Sequence, residues 1–410
     1  MRSIAIDILD KVLYKNAYTN IALRQALANT SSEPRDRAFI TDLVQTTMRN
    51  LLLIDEIIKY FAKTINVEPT VYNIIRLAVC QIRFMDKVPS HAAVDEAVKL
   101  TKVRGFGYVS KYVNWLLREI CREPNKPKTD NPYSYPKWLF DCINTWLGSD
   151  AEKFFINSHK PPSVTIFTNT LKCTPVELES ILKKAGIETV SLQDGFFAIS
   201  NTGDITKLSA FKNGMFFVMD PAAVLAVKAL DLQPGCRLID MTAAPGGKSF
   251  AASVLMNDNI NIYSFDCHEH KVGLIKQGAK RLGITSIIAE VRDSTVIDES
   301  LINSADCVLV DAPCSGLGTL RKHPEIKYRK TEKDIIEIAK LQYNLLSAAE
   351  KYVRPGGILV YSTCTVSKTE NKDVVHAFLE NHSKMCEVYS VQTLPDIYQD
   401  GFFVSQMIKK

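Results

Sequence analysis

The 410-residue sequence contains ten cysteines but no Cys-x-x-Cys pair. A structural zinc site or a thioredoxin-type redox pair needs that spacing, so neither is expected. Ten thiols in so long a chain are too sparse for a disulfide framework and read as free cysteines of a reducing cytoplasm. No run approaches ~18 consecutive apolar residues, so a membrane-spanning helix is not expected. The segment Met1 to Asp7 meets an acid early and continues as an amphipathic helix, which argues against a signal peptide. His323, before Pro324, reads as structural or RNA-contacting rather than catalytic. The other six histidines show no metal-ligand spacing, and no metal is expected. Internal repeats and low-complexity tracts are also lacking.

What is present is an ordinary soluble composition, 46% apolar and 23% charged, at a length that predicts several domains. The net charge of +5 is uneven. Residues 1–130 hold 20 Lys and Arg against 14 Asp and Glu; the rest hold 30 against 31. The basic excess of the first third permits a polyanionic partner there.

Residues 1–125 are poor in Gly and Pro and rich in helical spacing, as at Ile4, Ile8 and Val12 or Ile74, Leu77 and Ala78. They predict an all-α domain. Three prolines between Glu123 and Pro132 mark linker composition, assigned to 126–137. Residues 138–218 mix strand-like segments, Ser163 to Thr168 and Phe196 to Ile199, with a helix opened by Thr174-Pro175. They predict a small α+β, RRM-like module. Residues 219–410 alternate helices with five apolar runs: Arg237 to Asp240, Asn261 to Asp266, Ser286 to Val291, Cys307 to Asp311 and Gly357 to Tyr361. Parallel strands buried on both faces read this way, so a doubly wound, Rossmann-like α/β sheet is predicted. Gly401 to Val404 reads as a final antiparallel edge strand.

In such a sheet the ligand sits at the carboxyl ends of the strands. The first strand ends in Asp240-Met241-Thr242-Ala243-Ala244-Pro245-Gly246-Gly247-Lys248. It is not a Walker A loop, because Thr242 stands where the first glycine belongs, and it lacks Gly-x-Gly-x-x-Gly. Small residues there let a ligand approach the backbone. Asp266 ends the second strand, where such folds hold a ribose diol, and Asp293 follows the third, where a carboxylate can accept from an adenine amino group. The fourth strand ends in Asp311-Ala312-Pro313-Cys314-Ser315-Gly316 and the fifth in Ser362-Thr363-Cys364-Thr365. If the first, fourth and fifth strands are neighbours, both thiols face one cleft.

These three motifs, in this order, resemble those of the RNA cytosine-5 methyltransferases. Together with a basic helical first third similar to a NusB-type RNA-binding domain, they resemble the 16S ribosomal RNA methyltransferase B family (RsmB, also Sun or Fmu). The resemblance implies a class I methyltransferase fold and S-adenosylmethionine as cofactor, held by Thr242, Ala243, Ala244, Pro245, Gly246, Gly247, Lys248, Asp266, Asp293 and Asp311. It implies Cys364 as the nucleophile that attacks carbon 6 of cytosine, and Cys314 as the thiol that assists breakdown of the adduct. Residues alone leave the two thiols interchangeable, since DNA cytosine-5 methyltransferases attack from a Pro-Cys motif. Asp311 is implied to bond the base edge, and Lys248 to orient Asp311 or lower a thiol pKa. Family members often have Cys where this chain has Thr242; both are small, and little consequence is expected. The basic run Arg321, Lys322, Lys327, Arg329 and Lys330 follows the Cys314 loop and is a candidate for phosphate contact.

The implied partner is naked or early-assembly 16S rRNA, methylated at the family site, cytosine 967, by a cytoplasmic monomer. The same chemistry on tRNA or another rRNA site, and a non-catalytic RNA-binding assembly factor, are the competing readings.

Overall fold

A computed structural model describes residues 1–28, 33–62 and 65–410. The chain forms two compact units, residues 1–142 with 320–329, and residues 143–319 with 330–410. Among the described residues no helix is long and apolar enough to cross a membrane.

The first unit is helical. It contains α1 (Arg2–Tyr14), α2 (Thr19–Ala28), α3 (Pro34–Arg49), α4 (Leu51–Phe61), α5 (Pro69–Phe84), α6 (Ser90–Val103) and α7 (Ser110–Arg122). Their apolar stripes converge on a core that includes Ile6, Leu9, Leu43, Ile54, Ile75 and Leu117. The stretch 126–137, expected as a linker, packs on these helices instead. Tyr135 is buried, and Ser134 Oγ accepts from the Leu52 and Leu53 amides at 3.0 and 3.2 Å. Those are first-turn donors of α4 with no intrahelical partner.

Segment 320–329, expected within the α/β domain, belongs to this helical unit. Glu325 accepts from the Thr19 amide and hydroxyl at 3.1 and 2.9 Å, at the start of α2. Lys327 Nζ donates to the Arg49 carbonyl at 2.9 Å, at the end of α3. Arg329 Nη2 donates to the Val12 and Ala17 carbonyls at 2.9 and 2.6 Å, at and beyond the end of α1. An acid at a helix start and cations at helix ends match the peptide dipoles. This corrects the expectation of phosphate contact for three of the five cations of the run. Arg321 and Lys327 are buried, and Arg329 is committed to backbone carbonyls.

α8 (Lys137–Leu147) and α9 (Ala151–His159) lead to β1 (Val164–Thr168), α10 (Pro175–Lys184), β2 (Glu188–Ser191), β3 (Phe196–Ser200), α11 (Ser209–Lys212) and β4 (Phe216–Val218). These strands form an antiparallel sheet in the order β2-β3-β1-β4. α10 starts on the expected Thr174, which closes a capping box with Glu177. Phe167, Phe196 and Phe217 share a core with Phe250 of the larger sheet, so this small module packs within the second unit.

That larger sheet follows: α12 (Val224–Lys228), β5 (Arg237–Asp240), α13 (Gly247–Leu255), β6 (Asn261–Asp266), α14 (Glu269–Leu282), β7 (Ile287–Val291), β8 (Ala305–Asp311), α15 (Ile326–Arg329, in the helical unit), α16 (Glu332–Tyr352), β9 (Val353–Thr363), α17 (Lys372–Asn381), β10 (Met385–Thr393) and β11 (Phe402–Lys409). Its order is β10-β11-β9-β8-β5-β6-β7. The five expected strands are parallel, and β11 is antiparallel to β9. The expected last strand is therefore present but is not the edge. β10 pairs outside it and is the edge strand.

Candidate active site

β5, β8 and β9 are neighbours and run parallel, so their three loops leave one edge of the sheet together. Asp311, the last residue of β8, is in register with Ser362 of β9. Its Oδ2 accepts from Lys248 Nζ at 2.5 Å, and its Oδ1 accepts from Ser362 Oγ at 2.9 Å. Thr242 Oγ1 donates to the Asp311 carbonyl at 2.9 Å. All three loops thus meet on Asp311, and the Thr242 hydroxyl has a bonding role that its size alone did not suggest.

Lys248 lies in the first turn of α13 and is largely buried. Burial alone would lower its pKa. The interaction with Asp311 outweighs that, with Cys364 and Asp240 acting in the same direction, and the ammonium is held above its ordinary value. Asp240 is fully buried with Ser249 Oγ donating to it at 2.6 Å, and burial pushes its carboxyl up to about 7.

Cys314 follows β8 and Cys364 follows β9, and their Sγ atoms are 3.3 Å apart. Both are half-buried. The hydrogen bond with Cys364 and burial push the Cys314 thiol well above its usual range, with the charge of Glu370 acting in the same direction. Gly318 fixes the loops' separation. Its amide donates to the Cys364 carbonyl at 3.0 Å, and a Cβ there would stand 2.8 Å from that oxygen and 2.0 Å from the Gly401 carbonyl oxygen.

A cavity of about 260 Å³ opens beside Asp311, lined among others by Thr242, Ala244, Asp266, Cys267, Asp293 and Pro313. A smaller one, about 160 Å³, shares Thr242, Ala244 and Asp311 with it and adds Ala243, Pro245, Gly247 and Lys248. Nine of the ten expected cofactor residues line one or both cavities. The tenth, Gly246, lines neither. Its φ is +109° and a Cβ there would meet the Phe250 ring at 2.3 Å, so it shapes the loop. Asp293 Oδ1 accepts from the Thr295 amide and hydroxyl, which hold its carboxyl below the usual range. Asp266, 8% exposed, accepts from the His268 amide at 3.0 Å and has Lys271 Nζ 3.7 Å away. Carboxylates at two successive strand ends, beside a loop of small residues, suit a nucleoside with a diol and an amino group. Asp266, Cys267 and His268 also bring three possible ligand atoms within 4.8 Å of one another, the one such trio among the described residues.

Sequence reasoning missed Ser362, which orients Asp311, and Glu370, Gln342 and Ser315, which bind the cysteine loops. Ser362 stands in the motif of Cys364, but its register with Asp311 is set by the pairing of β8 with β9. Glu370 and Gln342 carry no local pattern. His323 belongs to the helical unit, 3.9 Å from Glu325, and burial lowers its pKa.

A family model for 16S rRNA methyltransferase RsmB/F matches residues 227–408, and one for the NusB family matches residues 1–122. A probable ribosomal RNA small subunit methyltransferase B of Bacillus subtilis (strain 168) is 34% identical, the alignment covering 100% of this chain and 99% of the relative. The crystal structure of PH0851 superposes with a TM-score of 0.84 at 29% identity, covering 99% of this chain and 97% of that one. A methyltransferase homologue from Pyrococcus horikoshii gives a TM-score of 0.60 at 28% identity, covering 67% of this chain and 96% of that one.

Proposed function

Because the chain belongs to the 16S rRNA methyltransferase RsmB/F family, we propose that it transfers a methyl group from S-adenosylmethionine to carbon 5 of one cytosine in small-subunit rRNA, the family site at cytosine 967, through a covalent adduct on Cys364. The observation that carries this reading is the pair of sulfurs 3.3 Å apart beside a lysine-bound aspartate.

Carbon 5 of cytosine is a poor nucleophile. The Cys364 thiolate attacks carbon 6, forming an S–C6 bond and pushing electrons to carbon 5. Asp311, held by Lys248 and Ser362, accepts from the exocyclic amino group and orients the base for attack. The cofactor, held by Asp266, Asp293 and the 242–248 loop, supplies an electrophilic methyl group when bound. Carbon 5 then carries both a methyl and a hydrogen. Cys314 assists removal of that proton, the electron pair returns to the C5–C6 bond, and Cys364 leaves as thiolate. A base inside a duplex is out of reach, so the cytosine must be unpaired or extruded.

The rRNA also needs a docking face. In the helical unit a groove of about 440 Å³ is lined by Lys99, Lys102, Lys111, Ser110, Asn114, Val98 and Asp95. Three lysines against one acid suit a phosphate backbone. The test is transfer of labelled methyl to naked 16S rRNA, to tRNA and to 30S particles, with the product mapped at nucleotide resolution. A single 5-methylcytosine in naked rRNA is expected. Label in tRNA alone overturns the substrate, and no label with cofactor bound favours an assembly factor.

A further inference from the structure

Glu370 lies six residues beyond Cys364, just before α17, and is fully buried. Its Oε1 accepts from the Ser315 amide at 2.6 Å and stands 3.4 Å from Gln342 Nε2. Its Oε2 accepts from Ser315 Oγ at 2.5 Å and stands 3.4 Å from Thr365 Oγ1. Ser315 is the neighbour of Cys314, Thr365 is the neighbour of Cys364, and their hydroxyls are 2.9 Å apart. Gln342 Nε2 also donates to the Pro313 carbonyl at 2.9 Å, gripping the Cys314 loop from its other side. The Tyr361 hydroxyl donates to the Glu370 carbonyl at 2.6 Å and fixes the clamp itself.

We propose that Glu370 is a positioning residue for the methyl-transfer reaction: its carboxylate locks the Cys314 and Cys364 loops into one sulfur pair. The inference rests on the cysteine chemistry proposed above. Each of these partners of the carboxylate is a neutral donor, so its charge is uncompensated within the clamp. An uncompensated negative charge opposes a second one nearby. Cys364 and Glu370 both act on Cys314 in the upward direction. Cys364, in contrast, interacts with the ammonium of Lys248. Burial raises the Glu370 carboxyl above its ordinary value, and its hydrogen-bond donors oppose that shift without outweighing it.

The test uses the full-length protein with Glu370→Gln and Glu370→Asp. One readout is kcat and KM on rRNA. The other is the pH dependence of Cys314 alkylation by iodoacetamide in the RNA-free protein, mapped by peptide mass spectrometry. Glu370→Gln should lower kcat about 30-fold or more, because sub-ångström misplacement of reacting groups is costly, while KM for RNA and cofactor changes less than about 3-fold. Its Cys314 alkylation midpoint should fall by about one pH unit. Glu370→Asp keeps the charge but shortens the reach, so it should keep the midpoint and lose kcat. An unchanged kcat together with an unchanged midpoint in Glu370→Gln overturns the inference. Should that variant fail to fold, Ser315→Ala removes one arm of the clamp, and a wild-type kcat in it overturns the inference instead. If the wild-type protein makes no 5-methylcytosine, the reading of the reaction fails, while the alkylation profile still decides the role of Glu370.

Discussion

Lys248 Nζ and Asp311 Oδ2 are 2.5 Å apart, joining the first turn of α13 to the end of β8. The ammonium also lies over the Phe402 ring at 5.1 Å. Asp311 is thereby held in one orientation in the cleft, where an oriented polar group acts more strongly than it does in water.

Lys248→Met preserves the bulk of the side chain and removes its charge. The expected result is a fall in kcat of about 100-fold, the scale seen when an oriented stabilising group is lost. Lys248→Arg should recover only part of it, since a planar guanidinium does not replace a compact ammonium. Steady-state kinetics on rRNA decides, and a kcat within about 3-fold of wild type for Lys248→Met contradicts the role.

Asp240 sets a pH dependence of stability. Its carboxyl is pushed up to about 7 in the folded protein, against about 3.9 for an unperturbed Asp. Between those values the native state keeps a proton that the unfolded chain has released. Its contribution to stability is therefore full below about pH 4 and falls as pH rises to about 7. Asp240→Asn removes this dependence. The Tm difference between variant and wild type should shift in the variant's favour from about pH 5 to about pH 8 and be constant below about pH 4. A difference independent of pH over that range contradicts the assignment.

In the helical unit, Lys327 donates to two carbonyls, Arg49 and Tyr133, and sits 4.3 Å from the centre of the Tyr135 ring. Burial holds its ammonium well below the usual range. Lys327→Met leaves those carbonyls without this donor and should destabilise the protein by about 1–3 kcal/mol in urea unfolding. A loss of RNA affinity with unchanged stability would restore the phosphate-binding reading of the run 321–330.

If the Lys99, Lys102 and Lys111 groove carries phosphate, the triple alanine variant should bind rRNA more weakly. The slope of log affinity against log salt should be about 2 units shallower, since each phosphate of a single strand that a lysine neutralises adds about 0.7. An unchanged slope in filter binding places the RNA elsewhere.

The parallel strands and the cysteine loops were legible because each rests on a local pattern, an apolar run ended by a distinctive loop. Asp311, Cys314 and Cys364 could be placed on one edge once β5, β8 and β9 were taken as neighbours. Glu370 was not legible, because its partners Ser315 and Gln342 are 55 and 28 residues away in sequence. Lys327 was misread for a related reason. A lysine in a basic run looks solvated, and only its bond to the carbonyl of Arg49, 278 residues distant, shows that it caps a helix. β10 was missed because its pattern is largely exposed, as an edge strand permits.

The most direct test of the central claim is covalent trapping on small-subunit rRNA carrying 5-fluorocytidine, with the attached peptide identified by mass spectrometry. Fluorine at carbon 5 cannot leave as a proton does, so the adduct should persist once the methyl group has been transferred. The account predicts rRNA bound to the Cys364 sulfur, dependent on S-adenosylmethionine and absent in Cys364→Ala. Attachment at Cys314, or methylation of ordinary rRNA by Cys364→Ala at the wild-type rate, would contradict it.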